Sequence, residues 1–224
     1  MAAAAFLINM RVHQCPPSAA PAIVAPTPRK RMLRAMARAV AARGYDHVSV
    51  ADVVQAAGVS RSTFYEEFAS KDECLLAAYD ALLERLIDQV FAAYESETRW
   101  PDQVRAGLAA LLEALAEEPE VARMATVEIP AAGPEAHRRY RAAIERFVSF
   151  FLDGRQVSGR GPTLPRETEL MAVGGAEAII FDEVVAGRAS QLTELLPDIL
   201  FAVLVPYLGP DEAAVEMRRV SESR

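Results

Sequence analysis

Between Ser49 and Lys71 the chain sets out side chains whose types and spacing suit contact with an anionic polymer. Ser49, Ser60 and Ser70 each precede a run with helical apolar spacing, where a serine hydroxyl accepts the unpaired backbone N–H groups that open a helix. Such a helix start also turns N–H groups and the positive end of a dipole toward any nearby phosphate. Arg61, Ser62 and Thr63 directly follow the second serine, and Tyr65 comes just after them. All four carry donors that reach phosphate oxygens or base edges. Lys71 directly follows the third serine. A cation in a helix's first turn opposes the dipole at a cost of about 0.3–1 kcal/mol, a placement that makes sense if the ammonium and the helix N-terminus share a phosphate. Ser49 is expected to present its hydroxyl, or the helix start behind it, to the same backbone.

Other chemistries find no set of residues to carry them. His13, His47 and His137 are scattered and have no metal-ligand spacing, so neither a metal nor a cofactor is expected. Cys15 and Cys74 are the only cysteines, too few and too far apart for a disulfide framework or a thiolate site. Gly174-Gly175 lies inside a helical pattern rather than after a strand, which excludes a phosphate loop. Glu117/Glu118 and Asp182/Glu183 read as solvated or partner-facing charges, no nucleophile elbow occurs, and an enzyme is not expected. The opening run MAAAAFLINM has no preceding positive charge, and the late run Ile199 to Val205 is far shorter than the ~20 residues of a membrane span. A soluble protein of the cytoplasm, with no membrane partner, is the expectation.

The elements that hold these residues follow from composition and periodicity. Net charge is −7, but residues 1–71 carry nine basic and four acidic side chains, a balance of +5 that leaves −12 for residues 72–224. That asymmetry predicts a basic module that meets an anionic polymer and an acidic body that does not. Residues 1–27, rich in Ala and Pro, read as a disordered arm. From Pro28, Leu33, Met36, Ala37, Val40 and Ala41 recur at helical spacing, with Arg34 and Arg38 on another face and Gly44 as the stop. Ser49 with Asp52 opens a second helix that Gly58 ends; Ser60 opens a third, running to about Phe68 with Phe64 and Phe68 inward; Ser70 with Glu73 opens a long fourth, to roughly Glu97. Two short helices joined at a glycine turn are helix-turn-helix geometry, in which the first residues of the second helix meet base edges.

The stretch AAGVSRSTFYEEFASKDECL, with the basic helix before it, resembles the DNA-binding domain of the TetR/AcrR family of transcriptional regulators over about residues 29–76. The resemblance implies a homodimeric, one-component regulator, most simply a repressor, that binds a palindromic double-stranded DNA operator and leaves it when a small molecule enters the body. It also implies a phosphate or thymine-methyl contact for Tyr65. Where the family often carries an aromatic residue or histidine, this chain has Glu66 and Glu67. Either Glu67 faces away from DNA, or it accepts from a cytosine amino group.

The expected architecture is all-α: a helix-turn-helix domain over residues 28–70, a helical effector-binding and dimerisation body over 71–210, and a C-terminal tail over 211–224. The body should hold helices from Asp102 to Ala116, near Pro119 to Thr126, from Pro134 to Leu152, from about Arg166 to Gly187 and from Gln191 to Leu208, with a loop over 154–162. Leu192, Leu195, Leu196, Ile199, Leu200, Val203, Leu204 and Tyr207 already form a full stripe while Phe201, Ala202 and Val205 stay apolar on the other side, so the last two helices are expected to form the dimer interface. Gly174 and Gly175 fit a close approach across that seam or beside a ligand. An apolar effector is expected among Trp100, Met124, Phe147, Phe151, Met171 and Phe181, with Glu177 as the polar anchor because it shares a stripe with Val173 and Phe181. The plainer reading of these side chains is core. A helical adaptor whose basic N-terminal module docks an acidic partner is the alternative for the whole chain.

Overall fold

A computed structural model describes residues 26–222; the arm read over residues 1–27 lies almost wholly outside them. Among the described residues there are twelve α-helices and no strand. Helices α1 (Pro28–Arg43), α2 (Val50–Ala57) and α3 (Arg61–Glu67) form the N-terminal unit. Helix α4 (Lys71–Glu95) leads into the body, followed by α5 (Trp100–Glu117) and α6 (Pro119–Arg123). A π-helical turn, Met124–Glu128, joins α6 to α7 (Ile129–Ala131). Then come α8 (Pro134–Val148), α9 (Leu152–Val157), α10 (Thr168–Val185), α11 (Leu196–Leu208) and α12 (Pro210–Glu222).

Each short N-terminal helix is cut by its caps. Thr27 accepts from the Lys30 N–H at 3.3 Å and Pro28 fits the first turn of α1. Ser49 and Asp52 form a reciprocal capping box on α2, and Gly58 ends that helix at φ 61°, ψ 44°, a left-handed conformation that favours glycine. Ser60 accepts from Thr63 N–H at 3.0 Å to start α3. Ser70 accepts from Glu73 N–H at 3.1 Å, while the Glu73 carboxylate takes the Ala69 N–H at 2.6 Å, one residue earlier than a standard capping box.

Two apolar cores result. The first collects Met32, Met36 and Val40 of α1, Val53 of α2, Phe64, Phe68, and Cys74, Leu75, Ala78 and Tyr79 of α4, together with Met124 and Ile129 from the π-turn region. The second is built from Trp100, Leu112, Leu192, Ile199, Leu200, Val203, Leu204 and Tyr207, with Tyr94 near the end of α4. Helix α4 therefore belongs to both. Its expected end near Glu97 falls at Glu95, and its expected start at Lys71 is observed.

Two expectations are corrected. Residues 211–224, read as a tail, are helical through Glu222. Pro210 is a first-turn residue of this helix, and Ala213, Glu216 and Val220 turn inward at helical spacing. Glu216 is held there by Arg99 at 2.8 Å and Arg219 at 3.1 Å. The loop read over 154–162 begins within helix α9, where Gly154 packs so closely that a β-carbon would lie 2.4 Å from the Trp100 ring. Ala189–Leu208 is long and apolar enough by length and composition to cross a membrane, although the apolar run within it is short. It is a 3₁₀ segment continued by α11, and Leu192, Ile199, Leu200 and Leu204 on its inner side are fully buried. Core packing accounts for its inner apolar side.

The α2 capping box carries a pH dependence. The hydrogen bond from the Ser49 hydroxyl, then the Ser49 N–H and Arg43, hold the Asp52 carboxyl down at about 2, against about 3.9 in an unfolded chain. Its stabilisation is therefore complete above the unfolded value and lost as pH falls through the folded one. Asp52→Asn should flatten the loss of melting temperature between pH about 4 and about 2, measured by thermal scans in acid buffers, and leave the profile near neutrality parallel to that of the native chain.

Candidate functional site

Helix α3 turns one side inward and leaves the other open. Phe64 is fully buried, in edge contact with the Tyr65 ring at 5.4 Å, and Tyr65 itself is 53% exposed. Arg61 and Ser62 are exposed and Thr63 is half-buried. Arg61 makes no ion pair among the described residues. Thr63 shares a 2.9 Å hydrogen bond with Ser60, and Ser62 donates to Glu66 at 3.2 Å. Glu67 turns back to α1, where Arg29 meets it at 3.3 Å while stacking 4.5 Å from the Phe68 ring. The acidic pair on α3 is thus drawn toward neighbouring side chains. The Ser49 hydroxyl donates to Asp52 at 2.6 Å and is occupied by its cap.

Lys71 is engaged within the protein. Its ammonium donates to the Tyr45 carbonyl at 3.1 Å and lies 3.9 Å from the centre of the Tyr45 ring. This carbonyl and ring offset part of the dipole cost at the start of α4. On its other side the Tyr45 N–H donates to Glu128 of the π-turn at 3.2 Å, and Arg123 lies 3.4 Å from the same carboxylate. The loop between α1 and α2 is therefore clasped by both α4 and the body.

Behind that clasp lies a cavity of about 140 Å³. Its wall is formed along α4 by Tyr79, Leu82, Leu83, Leu86, Val90 and Tyr94, opposite Leu108 and Leu111 of α5 and Ile144 and Phe147 of α8. Ala125 and Thr126 of the π-turn close one side and Val173, Ala176, Glu177 and Ile180 of α10 another. The π-turn has a local cause: Pro130 has no N–H to continue an α-ladder and its ring crowds the carbonyl four residues back, at Thr126. The Thr126 hydroxyl is satisfied by donating to the Ala122 carbonyl at 2.9 Å. Helix α8 is tied to α4 through Arg139 with Asp80, and through Arg146 with Glu84 at 2.7 Å. Tyr140 donates its hydroxyl to Glu177 across the cavity wall. Burial, reinforced by the facing Glu177 carboxylate, pushes the Tyr140 phenol well above its ordinary range.

Of the seven residues expected around an effector, Phe147, Phe151 and Glu177 line this cavity. Trp100 does not. It is 4% exposed, stacked edge-on to Tyr207 at 4.8 Å, and donates to the Phe150 carbonyl at 3.4 Å. Met124 is fully buried in the first core. Met171 and Phe181 face outward, 72% and 37% exposed. The row Val173, Glu177, Phe181 drifts about 40° around the axis at each four-residue step, so its last member leaves the inner side that Val173, Ile180 and Val184 define. Tyr79, Leu86, Val90 and Tyr140 were not singled out as lining residues. Their spacing gives a stripe, and a stripe alone does not distinguish a filled core from a hollow one.

A helix-turn-helix unit fused through one long helix to an all-helical body with an apolar cavity is the build of a DNA-binding transcriptional regulator. Residues 33–78 match the family described as bacterial regulatory proteins, tetR family. The chain is 28% identical over 113 residues to the HTH-type transcriptional regulator EthR of Mycolicibacterium smegmatis, covering 50% of this chain and 52% of that protein. It thus spans about half the length of that relative. In fold it is similar to the fatty acid degradation regulator FadR of Bacillus halodurans, with a TM-score of 0.72 at 17% identity, covering 81% of this chain and 96% of that one. FadR of Bacillus subtilis, solved in complex with stearoyl-CoA, gives 0.69 at 16% identity, covering 79% and 97%. Residues 33–78 thus match the tetR family, and the rest of the chain shares the fold of such regulators.

The position of Trp100 yields a direct check. A β-carbon on Gly154 would meet Trp100 at 2.4 Å and Tyr207 at 2.8 Å, so Gly154→Ala should cost about 1–3 kcal/mol in chemical denaturation through overpacking. The wall residues that enclose the cavity remain as they are in that variant.

Proposed function

We propose that this protein is a repressor that binds a palindromic operator as a homodimer, through α3 in the major groove, and releases it when a small apolar molecule fills the cavity. One observation carries the reading: α4 contributes Leu75 and Tyr79 to the core beneath α3, and Tyr79 through Tyr94 to the cavity wall. Occupancy of the cavity bears on the same rigid helix that supports the recognition helix. In a dimer, a small tilt of α4 changes the separation of the two recognition helices from the roughly 34–36 Å that successive major grooves demand. The Glu128–Tyr45–Lys71 clasp offers a second lever, because Thr126 lines the cavity two residues before Glu128. The DNA-binding unit is taken as residues 28–70, the effector and dimerisation body begins at 71, and the protein works in the cytoplasm. A long aliphatic occupant is supported by the carbon-lined wall and by the stearoyl-CoA complex of the similar fold.

For base contact, Arg61 is the principal residue, with Ser62, Thr63 and Tyr65 beside it, and Ser49 and Lys71 supporting the backbone-facing side. Arg61→Ala should weaken operator binding by about 1–3 kcal/mol and relax preference at one base position, while binding to random duplex keeps a steep salt dependence. Fluorescence anisotropy with operator and scrambled duplexes over a salt series measures both, and full operator affinity in Arg61→Ala would remove α3 as the reading element.

The dimer is proposed to form through the outer sides of α10 and α11. Met171, Ile179 and Val185 are exposed there, Phe201 and Val205 are partly exposed, and a β-carbon on Gly174 or Gly175 would meet nothing within 4 Å. Such an unpartnered apolar face, continuous across two helices, suits a second copy. The full chain should sediment as a dimer at micromolar concentration and Ile179→Arg as a monomer; a monomeric native chain would exclude this interface.

A further inference from the structure

The cavity offers an occupant almost nothing but carbon. Tyr79, Tyr94, Thr126, Tyr140 and Glu177 are the wall residues whose side chains carry oxygen, and no Lys, Arg, His, Asn or Gln lines it. Those oxygens are engaged with the protein or packed away. Tyr140 and Glu177 are bonded to each other. The Thr126 hydroxyl donates to the Ala122 carbonyl at 2.9 Å, and the Tyr94 hydroxyl reaches the Asp153 carboxylate, outside the wall, at 3.5 Å. Tyr79 is buried in the first core. The surface that faces the free space is carbon almost throughout. Water needs several polar partners to be held, and an engineered apolar cavity of roughly 150 Å³ stays dry and admits benzene. The free space here is about 140 Å³ with a lining of the same kind.

We infer that the cavity takes a hydrocarbon that bears no polar group, and that it turns away the same chain ending in a hydroxyl or a carboxylate. The inference rests on the cavity being the effector site. A hydroxyl carried into this space gives up its hydrogen bonds to water and finds neither a free protein partner nor a bridging water, and an ionised carboxylate loses far more. The chain itself gains the same burial whatever its end. Discrimination therefore falls against any head group, and the wall achieves it by withholding partners rather than by supplying them. A hydrocarbon meets no such penalty, because filling a preformed, poorly hydrated apolar space strips no bound water from the wall.

Sealed equilibrium dialysis of the full-length protein against octane, octan-1-ol and octanoate, at equal free concentrations below the solubility of octane, tests this. Octane should bind at least about tenfold more tightly than octan-1-ol, and octanoate should not bind measurably. Ala176→Phe, which fills the space from α10, should lose octane while keeping its affinity for random duplex. Octan-1-ol or octanoate binding as tightly as octane overturns the hydrocarbon assignment and leaves the cavity as the effector site. Octane retained by a folded Ala176→Phe places the hydrocarbon elsewhere and also overturns it; should that variant not fold, the comparison of the three chains on the native protein still decides. If none of the three binds, the effector reading falls and the inference with it. Octane that binds with the expected preference, yet leaves the protein on its operator in fluorescence anisotropy, upholds the hydrocarbon site and removes only its role in release.

Discussion

The structure depends on the continuity of one helix. Helix α4 runs 25 residues without a break, about 38 Å at 1.5 Å per residue, and its side chains must satisfy two separate cores and the wall between them. Cys74, Leu75 and Ala78 seal the floor beneath α3, while Tyr94 reaches the core around Trp100 and Tyr207. A helix committed at both ends cannot relieve strain by bending freely, because each end is held by packed side chains rather than by solvent. Displacement in the middle is transferred to the ends as rotation or translation of the whole rod.

The two ends are held by different chemistry. Far from α3, Glu169 is 4% exposed and receives Arg155 at 2.6 Å and the Tyr207 hydroxyl at 3.2 Å. Arg155 also donates to the Leu164 carbonyl at 3.1 Å, which fastens the 158–167 connection onto the body. Removing Arg155 would leave the Glu169 carboxylate without its cation partner. Near α3 the clasp consists of an N–H donated to the Glu128 carboxylate and an ammonium donated to a carbonyl, each a bond with one charged partner, worth roughly 1.5–3 kcal/mol.

Much of the N-terminal architecture was legible in the sequence because it is written in local signals. Ser49, Ser60 and Ser70 cap the helices they were expected to cap, and Gly58 makes the turn that only a residue tolerant of positive φ makes easily. What failed depended on contacts distant in sequence. Residues 211–224 were read as a tail, although Ala213 and Val220 are buried at helical spacing in the helix that Pro210 opens. Trp100 was grouped with ligand-facing aromatics, whereas Gly154 and Tyr207 enclose it. The stripe of α4 from Tyr79 to Tyr94 was visible as apolar spacing, but whether opposing helices fill the space in front of it is decided by residues on α5, α8 and α10. The pairing of Tyr140 with Glu177 joins two such helices, and nothing local in either segment announces it.

The hollow body has a consequence for the amount of protein as well as for its activity. Unfilled space costs a fold about 24 cal/mol per Å³, so a cavity of about 140 Å³ withholds up to roughly 3 kcal/mol, a large share of a typical domain's margin. A molecule that fills it shifts the folding equilibrium by mass action and lowers the fraction of chains open to proteolysis. On the function proposed above, the molecule that releases the protein from DNA would also lengthen its lifetime, so the pool of regulator would grow in its presence. Once that molecule was exhausted, the enlarged pool would be ready to bind, and shut-off would be faster than synthesis of new chains allows.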